Sequence, residues 1–281
     1  MQIAVASGKG GTGKTLLATC LTKVLTDQNL VLVDADVEEP NAAQAFSLPV
    51  RNSTTIYRNI PEIDYEKCTL CGICAEVCQY NALVTLPNQV LVFNELCHSC
   101  GACGFFCPLA AIGETQYPVG VIEETRLLEK ATLITGRLKV GEAQSPPVIK
   151  ATKRFREEAD LRIIDCPPGT TCTMIEAVKG SDYCLLVTEP TPLGLHDLEL
   201  SLEALNMLGI PGGLVLNRWY GGEDKELAEL SAKSGFPILA RIPFSYELAQ
   251  AYMQGREPLQ ALPALQEIVA DMYRQVKEAL L

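Results

Sequence analysis

The chain has 281 residues, of which 48% are hydrophobic and 20% charged, with a net charge of −11 and a pI near 4.8. That length buries a substantial core in one large domain, alone or with a small one, and the composition excludes a disordered or fibrous chain. The acidic balance argues against nonspecific nucleic-acid binding, because neutralising phosphates needs a basic surface. The chain opens on a strand-like run, Ile3-Ala4-Val5-Ala6, with no basic and apolar leader before it, so no secretory signal is expected. Ser7–Thr15, SGKGGTGKT, comes next and leads into a helical run, LLATCLTKVL. Gly8, Gly13, Lys14 and Thr15 fit the pattern G-x-x-x-x-G-K-[ST]. In such a loop, here carrying Gly8, Gly10, Gly11, Thr12 and Gly13, backbone N–H groups converge on phosphate oxygens at a helix N-terminus. Lys14 reaches the outer phosphates, and the Thr15 hydroxyl can sit on Mg²⁺. The alternative is a flexible glycine turn, against which the flanking strand and helix argue.

Lys9 adds a second lysine to the loop, giving Lys9-Gly10-Gly11-Thr12-Gly13-Lys14-Thr15. This resembles the deviant P-loop of the superfamily of MinD, ParA, Mrp and the nitrogenase iron protein. The resemblance implies a homodimer that sandwiches ATP, with Lys9 of each subunit touching the phosphates held by the other. The lesser alternative, for Lys9 taken alone, is a solvated loop charge.

Leu30-Val31-Leu32-Val33 is expected as a buried parallel strand ending at Asp34-Ala35-Asp36. Carboxylates at the carboxyl end of a strand beside a phosphate loop lie where open α/β sheets bind ligands. The stretch DADVEEPN resembles the first switch of the same superfamily, which implies that Asp36 orients or deprotonates the attacking water. The alternative is that Asp34 and Asp36 cap a loop or helix. Residues 42–61 show no clear periodicity and read as a connection to an insertion.

That insertion is an internal repeat. CTLCGICAEVCQYNAL at 68–83 aligns with CHSCGACGFFCPLAAI at 97–112, offset by 29 residues, and each half is C-x-x-C-x-x-C-x-x-x-C. The run resembles bacterial two-cluster ferredoxins, in which three closely spaced thiolates clasp one cubane and the fourth crosses to the other. The resemblance implies one [4Fe–4S] cluster on Cys68, Cys71, Cys74 and Cys107, and another on Cys97, Cys100, Cys103 and Cys78. Zinc also uses C-x-x-C pairs, but needs one set of four ligands rather than two related sets. Gln79 departs from the pattern, which has proline there as at Pro108. Residues 82–85 and 90–93 flank Pro87-Asn88 and read as a hairpin. His98 beside a ligand reads as partly exposed, with tuning of the cluster as the alternative. The twelve cysteines cluster at metal-ligand spacings beside a nucleotide loop, pointing to a reducing, cytoplasmic setting rather than disulfides.

After a polar, β-branched stretch at 113–143, SPPVIKATKRFREEA reads as a helix with prolines at its start. Val148, Ile149, Thr152 and Phe155 are spaced to face a core, with Lys150, Lys153, Arg154 and Arg156 on a solvated basic face. Leu161–Asp165 is the next strand, and IIDCPPGTT resembles the second switch of the Mrp branch. That resemblance implies that Asp165 holds Mg²⁺ directly or through water and that Gly169 feels the γ-phosphate. Cys172, seven residues after Asp165, matches a cluster ligand of the nitrogenase iron protein, but a shared cluster lacks its second ligand here; packing or a helix start is expected. Cys166 also reads as a core residue beside the switch, and Cys20 and Cys184 as structural. Strand–helix alternation continues to the end, with Asn217 and Arg218 resembling an adenine-reading position and Pro243 a residue that packs on the adenine. The last helix has Leu265, Ile268, Val269, Met272, Val276 and Leu280 on one face. It lacks the basic face that anionic lipid rewards, so it is expected to pack on its own domain, without membrane insertion.

The expected fold is α/β: a doubly wound, mostly parallel P-loop sheet formed by 1–61 and 114–281, with a small α+β ferredoxin-like insert at 62–113. The resemblance implies an ATPase binding ATP/ADP and Mg²⁺ as a nucleotide-dependent homodimer, and clusters at low potential that suit an anaerobe. Its nucleotide state would control electron transfer to a redox or Fe–S protein partner. The alternatives are an Fe–S carrier or assembly ATPase, and a positioning scaffold for a redox complex. A cobyrinate amidase, which shares the ATPase fold, is disfavoured because no glutaminase domain is present.

Overall fold

The computed structural model describes residues 1–156, 158–222 and 224–281. Among them eleven strands are found: β1 (Gln2–Ala6), β2 (Leu30–Asp34), β3 (Asn52–Ile63), β4 (Leu83–Thr85), β5 (Val90–Val92), β6 (Ile112–Arg126), β7 (Ala131–Leu138), β8 (Leu161–Asp165), β9 (Tyr183–Thr188), β10 (Gly212–Trp219) and β11 (Ile238–Pro243). The helices are α1 (Lys14–Val24), α2 (Ile73–Glu76), α3 (Ala102–Phe105), α4 (Ser145–Arg154), α5 (Cys172–Val178), α6 (Pro192–Leu208), α7 (Lys225–Ser234), α8 (Tyr246–Met253), α9 (Pro258–Ala261) and α10 (Ala264–Ala279). Nine strands form one sheet in the order β11-β10-β9-β1-β8-β2-β7-β6-β3, parallel from β11 to β7 and antiparallel across β7-β6-β3. The expected α/β class with a mostly parallel central sheet is present.

Both faces of the parallel part of the sheet are covered, as apolar strands require. Along β1, Ile3 and Val5 enter one hydrophobic cluster and Ala4 and Ala6 the other, because successive side chains point to opposite faces. Leu265, Val269, Met272 and Val276 of α10 join the first cluster beside Leu17 and Leu21 of α1. The expected apolar stripe therefore packs on its own domain, with Ile268 at its edge and Leu280 exposed. Among the described residues no helix is long and apolar enough to cross a membrane.

Two stretches differ from expectation. Residues 42–61 contain a 3₁₀ turn at Ala42–Ala45 and most of β3, and residues 113–143 contain most of β6 and all of β7. β3 pairs with β6 in register from Asn52↔Glu124 to Ile63↔Ile112. The first half of each strand is largely exposed, so the alternation that marks a half-buried strand is diluted. The ribbon thus extends the main sheet and carries residues 64–111 at its far end. There β4 pairs with β5 as the expected hairpin, and Ile60, Cys74, Ala82, Leu83, Val90 and Cys97 make a small separate core.

Helix α4 stops at Arg154, with Phe155 already extended. Lys153 does not lie on a solvated face: it is buried and donates to the carbonyls of Glu176 and Lys179, both at 2.7 Å. Cys20, Cys166 and Cys184 are buried, while Cys172 opens α5 and is exposed.

Candidate functional site

β1 delivers the glycine-rich loop to the carboxyl edge of the sheet, and α1 begins at Lys14. Gly13 has φ 101°, a conformation that suits glycine, and a Cβ there would strike the Asn217 amide. Gly8 lies against the Asp197 backbone with equally little room for a side chain. A cleft of about 450 Å³ opens over the loop, a size typical of small-ligand sites. Gly10, Gly11, Gly13, Lys14 and Thr15 line it together with Asp36, Asn217, Arg218 and Pro243. Phe244, Tyr252 and Met253 also line it, and nothing in their local sequence marks them, since α8 is brought there by the chain reversal after β11.

Asn217 and Arg218 are committed to the loop itself. Asn217 Nδ2 donates to the Thr12 carbonyl at 2.7 Å, and Arg218 Nη2 donates to the Gly11 carbonyl at 3.0 Å. Arg218 holds a φ of 56°, rare for a side-chain-bearing residue and a sign of local constraint. Glu189, at the end of β9, pairs with Arg218 and also with Lys9 Nζ at 3.1 Å. It went unmarked in the sequence because this junction joins three segments far apart in the chain. Gly169, outside the cleft lining, donates its N–H to the Ser7 carbonyl at 3.1 Å, tying its loop to the base of the glycine-rich segment.

Three aspartates meet at this edge with different roles. Asp34 and Asp165 are register partners on β2 and β8 and are both fully buried. Asp34 accepts the backbone N–H groups of Asn41 and Ala42, each at 2.9 Å, and so organises the loop that follows. Asp36 instead faces the cleft. Burial raises the pKa of all three and lowers that of Lys14, because it penalises the charged forms. Asp165 is pushed up to about 7 by burial, against the opposing influence of the neighbouring Thr15 hydroxyl, which does not reach full hydrogen-bond geometry, so that neither carboxylate oxygen is satisfied among the described residues. An orphaned buried carboxylate beside a phosphate loop and Thr15 suits a divalent cation, so Asp165 and Thr15 are the residues that could hold Mg²⁺.

A raised folded-state pKa means that the neutral carboxyl stabilises the fold at low pH and that this stabilisation is lost as pH rises through about 7. A rise from 3.8 to about 7 corresponds to roughly 4 kcal/mol. In metal-free protein Asp165→Asn is therefore expected to raise the thermal midpoint at pH 8 by on the order of 5–10 °C. The gain should fall to roughly two-fifths near pH 5 and vanish only below about pH 4, where the unfolded carboxyl is also protonated, and Mg²⁺ should stabilise the wild type and not the variant at pH 8. Melting curves at both pH values check this; an equal difference at pH 5 and 8 would contradict it.

The cysteines of residues 64–111 gather around two cavities. One is lined by Cys68, Cys71, Cys74 and Cys107, the other by Cys78, Cys97, Cys100 and Cys103. Each cavity thus takes three cysteines from one half of the repeat and the fourth from the other. The backbone repeats with the same 29-residue offset: left-handed φ values occur at Leu70 and Ser99, Gly72 and Gly101, and Asn81 and Ala110. Short helices α2 and α3 follow the two glycines, and Ala82 N and Ala111 N donate to Cys78 Sγ and Cys107 Sγ, both at 3.3 Å. N–H groups directed at sulfur in this way suit the sulfur of a cluster ligand. Among the described residues no group of three or more His, Cys, Asp or Glu is arranged to hold a metal ion. Quartets around an open cavity with sulfur-directed N–H groups fit a polynuclear cluster, whose corner irons take one thiolate each. Cys71 and Cys100 are the exposed members, and Tyr80 stacks on His98 at 3.6 Å beside the second quartet.

Residues 3–259 match the CobQ/CobB/MinD/ParA nucleotide binding domain. The uncharacterized protein MJ0578 of Methanocaldococcus jannaschii is 32% identical over 282 residues, covering 99% of this chain and 97% of that protein. An iron-sulfur cluster carrier protein of Pyrococcus furiosus is 24% identical over 306 residues, covering 99% of this chain and 87% of its own. Among solved structures, the septum site-determining protein MinD with Mg-ADP from Pyrococcus horikoshii matches at a TM-score of 0.59 and 19% identity, over 98% of this chain and 95% of that one. At that identity the likeness is one of fold.

Proposed function

Because the chain belongs to the CobQ/CobB/MinD/ParA nucleotide binding family, we propose that it is a cytoplasmic, ATP-hydrolysing switch whose nucleotide state controls electron transfer between two [4Fe–4S] clusters and a partner protein. The observation that carries the cluster half of this reading is the crossed arrangement of cysteines, three from one repeat half and one from the other around each cavity. Cys68, Cys71, Cys74 and Cys107 would hold one cluster and Cys78, Cys97, Cys100 and Cys103 the other, on a ferredoxin-like module spanning 62–113. When bound, each cluster supplies one-electron transfer at low potential.

The nucleotide half rests on the cleft. Lys14 and the loop N–H groups neutralise phosphate charge, Thr15 and Asp165 hold Mg²⁺, Asp36 positions the attacking water, and Gly169 reports the γ-phosphate. Pro243 and the Asn217–Arg218 pair bound the adenine end. Lys9, held by Glu189 in the single chain, swings to the phosphates of a second copy when ATP closes a homodimer. The module lies between Asp36 and Asp165 in the chain, so movements of the two switches reach it through the β3–β6 ribbon. Exposed Phe105, Phe106 and Leu109 beside Cys103 and Cys107 form an apolar rim that a partner protein would meet.

A second reading, that the chain carries or assembles Fe–S clusters for delivery, is favoured by the name of the Pyrococcus furiosus relative. One experiment separates the two. Protein purified without oxygen is expected to hold about eight irons per chain and to titrate as two one-electron centres by EPR. A potential shift of about 59 mV between ADP and a non-hydrolysable ATP analogue marks a tenfold difference between redox states in the preference for one nucleotide over the other. Identical titrations combined with iron transfer to an apo-ferredoxin would favour delivery instead.

A further inference from the structure

Two adjacent residues reach in opposite directions from the loop between β7 and α4. Ser145, buried at the start of α4, donates its hydroxyl to Glu38, two residues beyond Asp36. Gln144 Nε2 donates to the carbonyl of Cys97 at 3.0 Å. The loop is held to the same two places by further bonds. Leu138 N donates to the Val37 carbonyl at 2.8 Å. Glu142 Oε1 accepts the Gln144 N–H at 3.0 Å and pairs with Arg58 Nη1, also at 3.0 Å. Arg58 Nη2 in turn donates to the Asn94 carbonyl at 2.6 Å. Asn94 and Cys97 bracket the one-turn helix Asn94–Leu96, which leads into the second cysteine quartet.

The Arg58–Glu142 pair is buried at 7% and 8% exposure, yet among the described residues Arg58 Nε and Glu142 Oε2 have no hydrogen-bond partner. A buried ion pair left incompletely satisfied is poor at stabilising one arrangement, since desolvation offsets its attraction. A joint of that kind suits two alternative arrangements of nearly equal free energy. The Cys68 end is anchored differently: Cys68 N donates to the Asp64 carbonyl and Asp64 N to the Ala111 carbonyl, within the module.

We propose that the loop 139–145, through Gln144 and Ser145, transmits the position of the segment 36–40 to the backbone at Asn94–Cys97, so that nucleotide acts on the second cysteine quartet and leaves the first unaffected. Gln144 and Ser145 are positioning residues in this link, which rests on reading 36–40 as a segment that responds to nucleotide. Because the bonds fall on backbone carbonyls, a shift of the loop changes the protection of the amides around Cys97 rather than the identity of any cluster ligand.

Hydrogen exchange on the full chain, purified anaerobically with its iron, tests the link. A saturating non-hydrolysable ATP analogue with Mg²⁺ should change exchange at 94–99 at least about threefold relative to ADP, with 68–74 unchanged. Gln144→Leu should reduce the change at 94–99 to less than about a third while nucleotide affinity stays within about twofold. Ser145→Ala, which cuts the other end, should act alike. Absence of nucleotide binding would overturn the functional reading and the link together. Saturating binding without a response at 94–99, a response retained in both variants, or an equal response at 68–74 overturns the link alone.

Discussion

On the two-cluster reading, replacing Cys107 by Ser should remove about half of the iron and destroy the cluster whose other three ligands lie 33 to 39 residues earlier in the chain, because Cys107 lines the cavity of Cys68, Cys71 and Cys74. Double variants identify the quartet without relying on spectral assignment. Cys107→Ser combined with Cys71→Ser should lose no more iron than either change alone, since both remove ligands from one cluster. Cys107→Ser combined with Cys100→Ser should lose nearly all of it. Residues acting as a unit are non-additive and independent units add, so iron per chain becomes a direct report of which cysteines share a cluster. If Cys107 instead behaved as one unit with Cys100, each half of the repeat would hold its own cluster and the crossed arrangement would be wrong. The substitution leaves the main sheet intact, because the module has its own small core and joins the sheet through the β3–β6 ribbon.

Lys14→Ala is expected to lower ATP turnover by about 10³-fold or more while both clusters survive, because it removes the cation that meets the developing phosphate charge in a largely buried site. Lys9→Ala should lower turnover comparably by a different route, loss of the ATP-closed dimer, visible by light scattering. Mixing the two variants separates the roles. In a mixed dimer, the site of the Lys9→Ala chain has its own Lys14 and receives Lys9 from the other chain, whereas the second site lacks Lys14. Random pairing through a twofold interface should therefore restore about a quarter of wild-type turnover. A mixture that stays inactive would remove the cross-subunit role of Lys9 and leave it as the loop charge that Glu189 neutralises.

Local pattern carried a large part of this. The Ser7–Thr15 loop was legible because a phosphate cradle needs a strand, glycines and a helix start in immediate succession, and the structure builds it from contiguous residues. The buried strands at Leu30–Asp34 and Leu161–Asp165 were legible because a strand covered on both faces reads as a short apolar run. The cysteine repeat was legible from its 29-residue offset, and the same offset governs the backbone conformations around the thiols.

The sequence by itself thus determined the parallel α/β architecture, the phosphate loop and the cysteines, since each depends on neighbours in the chain. Tertiary structure alone decided what Asp34 does. The resemblance of DADVEEPN singles out Asp36 and leaves Asp34 without a role; β2 turns Asp34 inward to hold the Asn41 and Ala42 amides and leaves Asp36 lining the cleft. The β3–β6 ribbon escaped the pattern because the exposed first half of each strand lacks alternation. The Lys9–Glu189–Arg218 junction and the Glu38–Ser145, Gln144–Cys97 contacts escaped it because their partners are distant in sequence. Periodicity registers which side of an element meets the core; it carries no information about which loops the topology brings within hydrogen-bonding distance.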